Sequence, residues 1–132
     1  MSQENVAVLQ HFENSFIAGN LDEVRKTLHD DVVVHESTAV PYPGDFKGWD
    51  RFLELAQQFN ENWEFPTDAQ LQYLDAGEDG VIVRVDAEVK ARATGKPFHM
   101  KIAEFYKLRD GRIYDVTVFY WDTAVMDAAR RP

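Results

Sequence analysis

The sequence predicts an α+β domain in which a cone-shaped, curved and mostly antiparallel sheet wraps around three N-terminal helices. Three observations carry this. Apolar residues recur at helical spacing only up to about Trp63. Beyond Pro66 the pattern changes to strict alternation, the period of a strand with one covered face. Glycine, proline and aspartate cluster where one pattern gives way to the next.

In the first helix, from Gln3 to Ala18, Val6, Leu9, Phe12 and Phe16 form an apolar stripe, and Gly19 follows as a stop signal. Asn20 with Glu23 resembles a capping box that opens a short second helix carrying Leu21, Val24 and Leu28 and ending near Asp30 and Asp31. Val32 to Glu36 reads as a brief strand that puts Glu36 on the face of Val32 and Val34, and Val33 and His35 on the other. Pro41, Pro43 and Gly44 predict a loop without regular structure from Thr38 to Gly48. A third helix then carries Trp49, Phe52, Leu53, Ala56, Phe59 and Trp63.

Strands are expected from Thr67 to Leu74, from Val81 to Ala93, and as a hairpin from Lys101 to Tyr120, with a closing helix from Asp122 to Arg130 that docks by Val125 and Met126. In the second of these strands Val81, Val83, Val85, Ala87, Val89, Ala91 and Ala93 point inward. In the hairpin, Met100, Ile102, Glu104, Tyr106 and Leu108 share the inward face with Tyr114, Val116, Val118 and Tyr120. A three-residue loop at Arg109-Asp110-Gly111 would set Leu108 opposite Arg112 and Glu104 opposite Val116. Glu104 is then the one charged group on that surface.

Composition narrows the function classes. At 132 residues with 45% hydrophobic content, residues 1–132 suffice for one domain with one core. A net charge of −9 without a basic run disfavours nucleic acid and anionic membrane partners. Absent cysteine removes thiol chemistry and thiolate metal sites, so no metal and no cofactor is expected, and it fits a reducing compartment. The start Met1-Ser2-Gln3-Glu4-Asn5 has no basic region followed by an apolar run, and no stretch is apolar enough to span a bilayer, so a cytoplasmic protein is expected.

The segments Ala18-Gly19-Asn20-Leu21-Asp22 and His29-Asp30-Asp31-Val32, the loop Pro41-Tyr42-Pro43-Gly44-Asp45-Phe46-Lys47-Gly48 and the turn Arg109-Asp110-Gly111-Arg112-Ile113 resemble the nuclear transport factor two-like superfamily, in particular SnoaL-like polyketide cyclases and ketosteroid isomerase-related proteins. The resemblance covers nearly the whole chain. It implies that Glu36 stands where ketosteroid isomerases keep an aspartate general base, and Glu104 where they keep a protonated aspartic acid, the latter a standard example of a neutral carboxylic acid donating to an oxyanion. Phe12 falls where those enzymes have an oxyanion tyrosine, so Tyr106, Tyr120 or Tyr42 would have to supply that hydroxyl. Related cyclases use a His and Asp pair, for which His35, His99 and Asp115 are the candidates, all outward in phase. The superfamily also implies a homodimer through the outer sheet face, where Ile82, Phe105, Phe119 and Trp121 lie.

Two carboxyls in an apolar pocket split naturally into a base and an acid. Glu36, at a strand end, is expected to stay ionised and abstract a proton, while Glu104, deep among aromatic residues, stays protonated and donates to an enolate oxygen. Phe12, Phe16, Tyr42, Trp63, Met100, Tyr106, Val118 and Tyr120 are expected to wall a site for a hydrophobic, carbonyl-bearing small molecule. The same residues also suit a binding protein without turnover, a dimerisation module whose cavity fills itself, or a core in which Glu104 is simply bonded to a tyrosine.

Overall fold

The computed structural model describes residues 2–132, so Met1 lies outside the described residues. Helices α1 (Ser2–Ile17), α2 (Leu21–Lys26) and α3 (Gly48–Asn62) pack on one face of a seven-stranded sheet, and α4 (Thr123–Arg130) closes the chain. The strands are β1 (Leu28–Glu36), β2 (Gly44–Lys47), β3 (Trp63–Glu64), β4 (Gln70–Asp75), β5 (Gly80–Ala91), β6 (Pro97–Arg109) and β7 (Arg112–Tyr120). Their order is β2-β1-β7-β6-β5-β3, with β4 also on β5; all neighbours are antiparallel except β1 and β7. This is the expected α+β architecture, with a strongly curled mixed sheet. Among the described residues no helix is long and apolar enough to cross a membrane.

Local chemistry accounts for most boundaries. The Asn20 side chain accepts from the Glu23 backbone N–H at 3.4 Å and starts α2. That helix is shorter than expected, because Leu28 already belongs to β1 and is buried as a strand residue. The loop after Glu36 is more regular than its prolines suggested. Past Pro43 the residues Gly44–Lys47 pair with β1, Phe46 opposite Val34, and Phe46 is buried. Trp63 lies just beyond α3, in extended conformation opposite Ala91. On β5 Val81, Val83, Val85, Ala87, Val89 and Ala91 are all buried, but Ala93 falls in the following turn and is exposed. Asp122 caps α4 through the Val125 N–H, and Met126 and Ala129 dock, whereas Val125 is exposed.

The β6–β7 hairpin departs from the expected register. Arg109 pairs with Arg112, leaving a two-residue turn in which Asp110 and Gly111 both have positive φ, 55° and 74°. That is the type I′ geometry for which Asp-Gly is favoured, since its twist matches the strands. A bulge follows: Leu108 pairs with Ile113 but Lys107 with Asp115, so Tyr114 is the extra residue. Tyr114, expected inward, sits instead with the Arg109 guanidinium 4.3 Å from its ring centroid. The net shift places Glu104 opposite Val118 rather than Val116. A shift of two residues leaves the faces unchanged, so Glu104 still points inward.

Replacing Gly111 with Ala tests the turn. An added Cβ meets no atom within 4 Å, so only the left-handed backbone is penalised. The expected loss is about 1 kcal/mol, read as a lower urea midpoint with an unchanged slope.

Candidate active site

One row of residues crosses the sheet beneath the helices. Tyr73 on β4 lies opposite Val83 on β5, Val83 opposite Glu104 on β6, and Glu104 opposite Val118 on β7. Strand β1 runs parallel to β7 with His35 level with Thr117, so the next residue, Glu36, comes level with Val118. Glu36 and Glu104 thus flank Val118 from either side, two strand spacings or about 10 Å apart along the sheet. Both line a cavity of about 110 Å³ between the sheet and the helices. Its roof is Phe12 and Phe16 from α1 with Phe52, Leu55 and Phe59 from α3, and Ile17 stands at an exposed edge.

A chain of hydroxyls leads to Glu36. The Trp63 indole N–H donates to the Tyr42 hydroxyl at 2.8 Å, Tyr42 and Tyr120 share a hydrogen bond of 3.0 Å, and the Tyr120 hydroxyl donates to Glu36 Oε1 at 3.0 Å. Burial pushes the Glu36 carboxyl up to about 8, partly offset by the Tyr120 hydrogen bond. Burial thus favours the neutral form of Glu36, against the expectation of an ionised base. The strand end is not a solvated position, because it is enclosed by the cavity wall and Tyr120. Tyr42 and Trp63, expected in the wall, are fully buried behind it and act through Tyr120.

A second cluster surrounds Glu104. The Tyr106 hydroxyl lies 2.9 Å from Glu13 Oε1 and 3.0 Å from Glu104 Oε1. Burial, followed by the charge of Glu13, raises Glu104 well above the ordinary carboxyl range, in line with the expected protonated acid. Glu13 is also raised, by burial. Tyr73, in the same row, is pushed up to about 12 by burial and then by the charges of Glu13 and Glu104.

Glu13 is the site residue that sequence reasoning missed. The signal was there: four residues beyond Leu9 and three before Phe16, it lies on the apolar stripe of α1 and is 8% exposed.

Of the other expected wall residues, Phe12, Phe16, Tyr106, Val118 and Tyr120 do face the cavity. Met100 does not. It is buried opposite Ala87, in the packed core beyond the cavity. Phe12 meets the Tyr106 ring edge-on at 5.8 Å, and the Tyr106 hydroxyl is occupied by Glu13 and Glu104.

His35 contacts Asp45 at 2.8 Å through Nδ1 and Asp115 at 3.1 Å through Nε2, while His99 contacts Glu88 at 2.8 Å and also Asp86. The hydrogen bond that the imidazole gives to the Asp45 carboxylate is the main cause raising His35. The His and Asp pair thus exists at His35 and Asp115, but on the outer face, away from the cavity. Among the described residues no cluster of three or more His, Cys, Asp or Glu could hold a metal ion.

The sequence model of the SnoaL-like domain family matches residues 8–116. No curated protein matches the sequence. Among solved structures the chain is similar to an NTF2-like protein of Burkholderia xenovorans LB400, with 18% identity and a TM-score of 0.89 over 99% of this chain and 98% of that one. It is similar to a provisionally named isomerase of Rhodopseudomonas palustris, at 16% identity and TM-score 0.78, covering 92% of this chain and 95% of that one. It also resembles a provisionally named polyketide cyclase of Silicibacter sp. TM1040, at 18% identity and TM-score 0.77, covering 95% and 94%.

Proposed function

Since the chain belongs to the SnoaL-like domain family, we propose that it is a cofactor-free enzyme of the isomerase or cyclase type that moves a proton next to a carbonyl group. The observation that carries this reading is the placement of Glu36 and Glu104 on opposite flanks of Val118 in one apolar cavity. The ionised fraction of Glu36 takes the proton from the carbon beside the carbonyl. The electron pair moves onto oxygen, where the Glu104 acid donates a hydrogen bond to the enolate. Glu36 returns its proton to a different carbon; for a polyketide the enolate carbon attacks a second carbonyl instead, whose π pair moves onto its oxygen and takes the proton from Glu36. The names of the solved isomerase and cyclase neighbours support this class of chemistry.

The cavity restricts the substrate. Its volume of about 110 Å³ is below the roughly 150 Å³ of an apolar cavity that admits benzene, so only a short chain or part of a ring fits inside and any larger portion passes the edge at Ile17. The direct test is a panel of small β,γ-unsaturated ketones, followed by the ultraviolet absorbance of the conjugated product in wild type and Glu104→Gln. Conversion that is lost in the variant supports the reading. Saturable binding with no conversion would make this a binding pocket instead, and neither binding nor conversion would point to a self-filled cavity.

The same reading includes a homodimer. Phe105 and Phe119 pack edge to face at 5.3 Å on the outer sheet surface while remaining 46% and 55% exposed, and Trp121 is 80% exposed. Such a patch favours cover by a second copy. Light scattering is expected to give twice the chain mass for wild type and a single mass for Phe119→Glu.

A further inference from the structure

The proposed chemistry employs two carboxyls, yet three line the cavity, and Glu13, the buried one, has no part in it. Glu13 reaches the site from α1, and its partners are on β6. The Tyr106 hydroxyl is within 3.0 Å of both Glu13 Oε1 and Glu104 Oε1. It has one hydrogen and can donate it to only one of them, and an ionised carboxylate can only accept. Both contacts are met when one carboxyl is protonated and donates to the Tyr106 oxygen while Tyr106 donates to the other. Among the described residues no Lys, Arg or His forms an ion pair with either acid.

We propose that Glu13 and Glu104 act as one acid, holding a single proton between them beside Tyr106, with Glu13 as the positioning residue whose charge keeps that proton on Glu104, from where it turns to an oxyanion that enters the cavity. This rests on the reading of Glu104 as the acid of the site. It extends that reading by giving the third carboxyl a role: its charge discourages Glu104 from releasing the shared proton. The ionisable groups facing the pair are Tyr106 on β6, Tyr73 on β4, Glu36 on β1 and, beyond Glu36, Tyr120 and Tyr42; α3 presents only Phe52, Leu55, Ala56 and Phe59 to the cavity.

The test is a carbon NMR titration of the side-chain carboxyls in wild type, Glu13→Gln and Glu13→Asp. The amide introduced by Glu13→Gln keeps the volume and a hydrogen-bonding group for Tyr106 but can neither carry charge nor hold the shared proton. The expected result is a Glu104 midpoint lowered by about one unit or more in Glu13→Gln and largely restored in Glu13→Asp. An unchanged Glu104 midpoint would reduce Glu13 to a tether between α1 and β6 and overturn the proposal. Should Glu13→Gln not fold, the reciprocal variant Glu104→Gln decides, with the Glu13 midpoint expected to fall and a constant one counting against the pair. The readout needs no substrate. A shifted midpoint without ketone conversion keeps the shared proton and sinks the isomerase reading, while conversion with an unshifted midpoint does the reverse.

Discussion

Glu36→Gln is expected to lower turnover of an enolisable ketone by about 10²- to 10⁴-fold, the usual contribution of a positioned general base. The glutamine is a close replacement for the protonated acid. It still offers Oε1 to the Tyr120 hydroxyl, so the chain from Trp63 through Tyr42 and Tyr120 stays satisfied. What is lost is the ability to take a proton. Wild-type kcat/KM should climb about tenfold per pH unit below the Glu36 value of about 8 and level off above it, because only the ionised form works. Loss of that limb together with the rate in Glu36→Gln identifies Glu36 as the base. A variant with the wild-type rate and profile would remove it from the mechanism.

The same substitution should have the opposite effect on stability. Folded Glu36 has its carboxyl raised from 4.5 to about 8, so between those values the folded chain keeps a proton that the unfolded chain releases. Stability therefore falls as pH rises through about 4.5 to 8 and is level above that window. At 1.36 kcal/mol per unit the contribution is on the order of several kcal/mol. Glu13 and Glu104 are raised as well and push the same way. Urea unfolding at pH 5.5 and 8.5 should show a pronounced loss in wild type and a smaller one in Glu36→Gln, which becomes the more stable protein at pH 8.5. Parallel losses in the two proteins would mean that Glu36 is not desolvated.

These expectations depend on burial, which sequence shows unevenly. The alternation along β5 and β6 identified the inner face almost residue by residue, because a covered strand admits little else. Glu104 was legible as the anomaly on that face. Glu36 was legible in position but not in charge, since its desolvation comes from cavity walls contributed by distant strands and helices. Regular structure at Gly44–Lys47 escaped detection for a similar reason: the partner of that strand is β1, and proline content reports only local preference. The hairpin register turned on the bulge at Tyr114, which alternation cannot reveal because a shift of two preserves every face. Glu13 was a different failure. Its place on the stripe of Leu9, Phe12 and Phe16 was visible, and only its chemistry made it look like a surface residue.

The hydroxyl chain behind Glu36 also has a direction. Tyr120 gives its one hydrogen to Glu36, so in the link between the two tyrosines Tyr42 donates and Tyr120 accepts, and the indole N–H of Trp63, which can only donate, occupies the Tyr42 oxygen. Every link points toward the carboxylate, and the far end is closed by a group that accepts nothing. A proton captured by Glu36 has no outlet along these side chains. On the proposed reading it leaves by way of the cavity, which a bound substrate would occupy. An isotopic label at the donor carbon should accordingly reappear in the product molecule, making the reaction a transfer within one substrate instead of an exchange with water.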